Sequence, residues 1–188
     1  MNAQQYSTLA RRTMNDLPYR EAIANWTLGL IGELRELEDA IIANDIIGQT
    51  QVMGVEMFLG DPVDITKEAG DIFWYINALC VTCGFPFTEV MDYYAAEYAH
   101  KALLQAATVD GFHQGYRYLA HFAEGVKKDV YHKDEQYQRA GNFYQYAAYL
   151  MAVIAAYVDA PFEAIWEANI AKLEQRHPTL RFDAGYHK

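Results

Sequence analysis

Leu28-Gly29-Leu30-Ile31-Gly32-Glu33-Leu34-Arg35-Glu36-Leu37 lies inside a run in which Ile23, Trp26, Thr27, Leu30, Leu34, Leu37 and Ile41 recur at helical spacing. The run predicts a long helix from about Tyr19 to Asn44. Glu33 and Glu36 stand three residues apart, and positions three apart share a helical face. A second stretch, Lys67-Glu68-Ala69-Gly70-Asp71-Ile72-Phe73-Trp74-Tyr75, repeats the arrangement with Glu68 and Asp71. Two such helices packed face to face would bring four carboxylates together. Burying like charges is prohibitive unless a cation neutralises them. A hard divalent ion with oxygen ligands suits that role, and Mg²⁺ fits best. Glu33 and Glu36 sit among leucines, and Asp71 precedes Ile72-Phe73-Trp74. Surface acids are seldom so enclosed, which argues against a merely solvated acidic face.

The remaining chain also reads as helical. Proline is scarce, with 5 residues in 188, and 52% of the residues are apolar. A short amphipathic helix over 2–16 places Tyr6, Leu9, Ala10 and Thr13 or Met14 on one side, and Pro18 interrupts it. Residues 45–63 lose the period and carry Gly48, Gly54, Gly60 and Asp61-Pro62, so a long loop is expected. A helix capped by Asp64 or Thr66 runs to Cys83 and ends at Gly84-Phe85-Pro86. Another covers about 86–107, and Asp110-Gly111 turns the chain. Further helices span about 115–131, from beyond His132-Lys133-Asp134 to Val158, and from Pro161 to Arg176-His177-Pro178. The tail after Thr179 looks irregular.

The formal charge of −10 opposes a nucleic-acid surface, because phosphate backbones demand clustered Lys and Arg. It leaves room for a nucleotide whose phosphates are held through metal ions. No basic-then-apolar leader opens the chain. The longest apolar run, from Tyr146 to Val158, is shorter than the roughly 18 residues of a membrane span. No membrane partner is expected, and the cytoplasm is the default compartment. Cys80 and Cys83 form a lone Cys-x-x-Cys in a helical pattern, which reads as two small packed residues rather than a redox pair or half a metal site. The six histidines show no ligand spacing.

The two halves echo each other. Glu68-Ala69-Gly70-Asp71-Ile72-Phe73-Trp74-Tyr75 aligns with Arg139-Ala140-Gly141-Asn142-Phe143-Tyr144-Gln145-Tyr146. Pro86-Phe87-Thr88-Glu89-Val90-Met91 aligns with Pro161-Phe162-Glu163-Ala164-Ile165-Trp166, and Gly32–Ala40 more loosely with Ala123–Tyr131. Glu36 thereby becomes Lys127, Glu68 becomes Arg139 and Asp71 becomes Asn142. Ammonium and guanidinium groups offer no lone pairs. The second half therefore keeps the helical frame without the metal chemistry. Lys127 and Arg139 would reach toward phosphates or pair with acids such as Glu124. Two units are expected, 1–109 with the metal motifs and 110–188 without them, packed as one compact body.

A third motif is Asn169-Ile170-Ala171-Lys172-Leu173-Glu174-Gln175-Arg176-His177-Pro178. With Gly29-Leu30-Ile31-Gly32-Glu33-Leu34-Arg35-Glu36-Leu37 and Glu68-Ala69-Gly70-Asp71 followed by aromatics, it resembles the pattern of the MazG-like nucleoside triphosphate pyrophosphatases. These belong to an all-α superfamily with dimeric dUTPases and dCTP pyrophosphatases. The opening Tyr6-Ser7-Thr8-Leu9-Ala10-Arg11-Arg12-Thr13 is similar to one branch. The chain departs from the pattern in one respect. The family carries all three motifs in one short unit, whereas here the ending lies in the second half, and Tyr94-Ala95-Ala96-Glu97-Tyr98 stands in its place in the first.

The resemblance implies an all-α helical bundle, two repeats packed as a pseudo-dimer, and hydrolysis of a (d)NTP to a (d)NMP and pyrophosphate for nucleotide pool sanitation or balance. Mg²⁺, with Mn²⁺ as substitute, would be held by Glu33, Glu36, Glu68 and Asp71. Glu33 or Glu36 would accept the attacking water's proton. Tyr75 would stack on or bond the nucleotide. Lys172 and Arg176 suit phosphates, and Asn169 suits a base or ribose. A fused pair would act as a monomeric pseudo-dimer or dimerise again. The competing expectation is a non-catalytic nucleotide sensor or helical interaction module. A di-iron protein would want Glu-x-x-His pairs, which are missing. Glu38 and Asp39 are expected to face solvent, with Asp39 one turn beyond Glu36.

Overall fold

The computed structural model describes residues 1–52, 64–98, 109–132 and 139–179. All regular structure among them is helical: α1 (Ala3–Arg11), α2 (Tyr19–Val52), α3 (Ile65–Cys83), α4 (Phe87–Glu97), α5 (Val109–Lys127), α6 (Arg139–Tyr157) and α7 (Phe162–Arg176). The chain is an all-α helical bundle. A π-helical turn, Lys128–His132, extends α5.

The helix ends follow from local chemistry. Asn2 caps α1 in a reciprocal pair with Gln5: each side chain accepts from the other's backbone N–H at 2.9 Å. α1 stops at Arg11, short of the expected residue 16, because the Thr13 hydroxyl turns back onto the Ala10 carbonyl and a polar stretch leads to Pro18. Asp64 caps α3 by accepting from the N–H groups of Thr66 and Lys67. Gly84 closes α3 at φ 75°, a left-handed geometry that glycine adopts without a side-chain clash. α4 and α7 open alike, each after a proline in extended conformation with no side-chain cap.

Two further boundaries differ from the sequence expectation. α2 continues through Val52, so the first part of the expected 45–63 loop is helical. Asp110-Gly111 lies inside α5 rather than at a turn. There Phe112, Leu119, Phe122 and Val126 are buried at three-, four- and seven-residue steps, and that apolar stripe outweighs a two-residue turn signal. Residues 53–63, the extension of α4 to 107, the polar stretch at 133–134 and the tail from 180 lie outside the described residues.

α3 and α6 are the central helices, apolar on most sides. Ala69, Ile72, Phe73, Ile76, Leu79 and Cys80 are buried on α3, and the run Tyr146–Ile154 is buried on α6. α2 packs along α3, and α5 along α6. The two pairs are cross-linked: α7 packs on α3, α4 packs on α6, and α2 meets α5. Glu38 is half-buried at that last contact and accepts from the Tyr116 hydroxyl at 2.8 Å, which corrects its expected solvent-facing place. Asp39 is exposed and pairs with Arg35.

α1 lies against α3, α4 and α7. Its fully buried Tyr6 ring stacks on Trp166 at 5.5 Å and tilts against Phe87 at 5.6 Å. Cys80 and Cys83 are not joined in a disulfide, and burial pushes the Cys80 thiol up. Among the described residues no single helix is long and apolar enough to cross a membrane.

Candidate metal and nucleotide site

The helical period that buries Leu30, Leu34 and Leu37 sets Glu33 at the edge of the α2–α3 seam and leaves Glu36 exposed. On α3, burying Ile72, Phe73 and Ile76 leaves Glu68, Asp71 and Tyr75 on the flank, each half-buried. The two helices thus present their acids to one place. One carboxylate oxygen from each of Glu33, Glu36 and Glu68 lies within 4.8 Å of the others.

Asp71 stands beside this trio with its oxygens engaged elsewhere. Oδ2 accepts from Lys172 Nζ in a close ion pair, and Oδ1 accepts from Asn169 Nδ2 at 3.1 Å. The Tyr6 hydroxyl donates to Asn169 Oδ1 at 3.0 Å. Asn169 is therefore fully buried with both amide atoms in use. It holds Asp71 and does not reach into open space as a base or ribose contact would.

Two glycines make the approach of these elements feasible. A Cβ at position 70 would lie 2.9 Å from the Cβ of Asn169, so Gly70 lets α7 come close enough for the Asp71 contacts. A Cβ at position 29 would lie 2.1 Å from Tyr75 Cε1, so the Tyr75 ring rests against the backbone of α2.

The crowding of acids shows in their protonation. Glu33 is pushed up to about 7 by burial, by Asp71 and by Glu36, with Lys172 opposing. Glu68 is raised by burial and by Asp71. Burial raises the Tyr75 hydroxyl, and Glu33, Asp71 and Glu36 add to it. Burial and Asp71 together raise Tyr6. The donor set passes a simple test for a hard cation. It supplies carboxylate oxygens alone, converging from two helices, the donor type a hard cation takes.

A cleft of about 320 Å³ opens from this cluster. Glu33, Asp71, Leu173, Arg176 and His177 line one part, and Thr13, Asn15, Asn25, Trp26, Trp74 and Tyr75 line the rest. Trp74 stands edge-on to Trp26 at 5.3 Å and to Tyr75 at 4.9 Å. Arg176 is exposed at the rim. Lys127 is paired with Glu124 at 3.4 Å, the second of its two expected roles. The side chain of Arg139 lies outside the described residues.

Asn15, Asn25 and Trp26 belong to the site without lying in any of the quoted motifs, and Tyr6, Thr13 and Trp74 lie in quoted stretches that gave them no part in it. The tryptophans sit in helix-periodic positions and look like core from sequence. Gly29 and Gly70 were the available signals, since glycine inside a helix often marks a close approach. Compared with protein-family models, curated proteins and solved structures, the chain matches none.

Proposed function

We propose that the chain is a Mg²⁺-dependent nucleoside triphosphate pyrophosphohydrolase of the MazG-like kind, converting a (d)NTP to a (d)NMP and pyrophosphate. The observation that carries this reading is the convergence of Glu33, Glu36 and Glu68 from two helices, with Glu33 and Asp71 also lining an aromatic-walled cleft. Glu33, Glu36, Glu68 and Asp71 would hold the divalent ion, with Mn²⁺ as a substitute. Bound there, the ion would neutralise triphosphate oxygens and acidify a water molecule.

The chain's own residues would do the positioning that phosphoryl chemistry chiefly needs. Lys172 and Arg176 supply positive charge from α7, at Asp71 and at the rim. Glu33 or Glu36 would accept a proton from water. Trp26, Trp74 and Tyr75 give the cleft an aromatic wall. The two halves would form a fused pair of repeats. The acids come from the first half, and Asn169, Lys172 and Arg176 come from the second.

The test is incubation with a panel of dNTPs and NTPs in Mg²⁺, following pyrophosphate release. Turnover is expected on at least one nucleotide. Glu36→Gln and Asp71→Asn should each lower it by about 10²-fold or more, the scale for losing a group that stabilises transition-state charge, while circular dichroism stays unchanged. No turnover by the folded protein on any nucleotide would sink the enzyme reading. An active Asp71→Asn protein would count against the ligand set. The engagement of both Asp71 oxygens by Lys172 and Asn169 favours one second reading, a nucleotide-binding protein without catalysis. It predicts nucleotide binding with no pyrophosphate.

A further inference from the structure

The cleft has a second chemistry beyond its acidic end. Its indole N–H groups are turned inward: Trp74 Nε1 donates to Thr13 Oγ1 at 2.9 Å, and Trp26 Nε1 donates to Thr82 Oγ1 at 3.1 Å. Thr13 in turn donates to the Ala10 carbonyl at 2.8 Å. The rings therefore offer apolar surface and no hydrogen bonds to an occupant. Asp71 is taken up by Lys172 and Asn169. Away from the acids, the lining also carries the side-chain amides of Asn15 and Asn25, alongside the Tyr75 hydroxyl, Arg176 and His177.

A carboxamide presents a donor and an acceptor side by side in one plane. That is the complement of a nucleobase edge, which alternates donors and acceptors in its own plane. Aromatic walls suit the base's flat face.

We propose that Asn15 and Asn25 are the base-reading residues of this cleft. The base lies against Trp26 and Trp74, and its phosphates point toward Glu33, Lys172 and Arg176. The inference rests on the nucleotide reading above but not on catalysis. Asn15 sits in the connection between α1 and α2, and Asn25 lies in the second turn of α2 next to Trp26. Asn25 is exposed and Asn15 half-buried, so truncating either removes little packing.

The experiment measures binding of α,β-imido nucleoside triphosphates carrying each of the four bases, with inorganic tripolyphosphate as the baseless probe. Calorimetry is done on the full chain in Mg²⁺. The wild type is expected to distinguish the bases. Asn15→Ala and Asn25→Ala should each lose about tenfold or more on the tightest base, the scale of a lost bidentate base contact. Tripolyphosphate binding should stay within about twofold. Asn25→Asp keeps the shape but lacks donors, so it should change the order of preference after normalisation to tripolyphosphate.

Base preference unchanged in all three variants would overturn the proposal. So would a parallel loss of tripolyphosphate, which would signal a general disturbance. Discriminating binding without pyrophosphate release from the hydrolysable nucleotides would sink catalysis and leave the base-reading role standing. Hydrolysis with unaltered preference in the variants would do the reverse.

Discussion

Glu33 favours its protonated form up to about 7, against an ordinary 4.5, because it is half-buried and faces Asp71, Glu36 and Glu68. Its folded-state affinity for a proton exceeds that of the unfolded chain. The stability this group contributes is complete below about 4.5 and is lost as pH rises through about 7. Glu68 is shifted in the same direction by burial and Asp71. In the absence of divalent ions, the melting temperature should therefore carry a falling component across this window. Glu33→Gln, which cannot ionise, should flatten it. Thermal unfolding in chelator from pH 4.5 to 8 reads this directly. An equally steep fall in Glu33→Gln would remove Glu33 as its source. At this scale the sequence was most informative about the acids, because paired carboxylates set among leucines are costly to keep unless a cation or a proton meets them. It was silent about Tyr6, whose hydroxyl acts through Asn169 on a carboxylate of a different helix. Nothing local in Gln5-Tyr6-Ser7 encodes that partner.

The helices themselves were legible from their apolar period, and Asp64, Gly84, Pro86 and Pro161 marked ends that the structure keeps. The boundary at Asp110-Gly111 was misread for a physical reason. Turn signals such as Asp110-Gly111 are local, whereas the stripe Phe112–Val126 draws its stability from packing on α6. The fit of α3 against α7 belongs to this scale too, and it hinges on Gly70. Alanine is the better helix former by about 0.5–1 kcal/mol, so Gly70→Ala would stabilise an isolated α3. In the protein its Cβ would meet the Cβ of Asn169 at 2.9 Å, close to the α7 backbone and unable to swing aside. Overpacking costs typically about 1–3 kcal/mol, so the net effect should be destabilising. The shift should also loosen Asn169 and Lys172 from Asp71. The expected result is a lower melting temperature together with weaker Mn²⁺ binding, measured by denaturation and by electron paramagnetic resonance. A Gly70→Ala protein of raised stability and unaltered ion binding would contradict the close approach.

Across the whole molecule, α7 packs on α3 and α4 packs on α6. The order of motifs in the chain already hinted that the acids and the Asn-x-x-Lys-x-x-x-Arg ending come from different halves. The contacts of Asp71 with Asn169 and Lys172 join them. In the same alignment of halves, Tyr94 takes the place of Asn169 and Glu97 that of Lys172, while Lys127 and Arg139 take the places of Glu36 and Glu68. Charge is thus reversed on both partners at the position related to the acid cluster. Lys127 already has a counter-ion in Glu124, which also meets Lys128. Such a place repels a cation. All tight divalent-ion binding by this chain should therefore reside with Glu33, Glu36 and Glu68, and Glu68→Gln alone should abolish it. Lys127→Glu should restore none in a Glu68→Gln background, because Arg139 still stands in that half. Mn²⁺ titration of the wild type and both variants decides the point. Retention of an ion at wild-type affinity in Glu68→Gln would mean that the second half carries a site of its own.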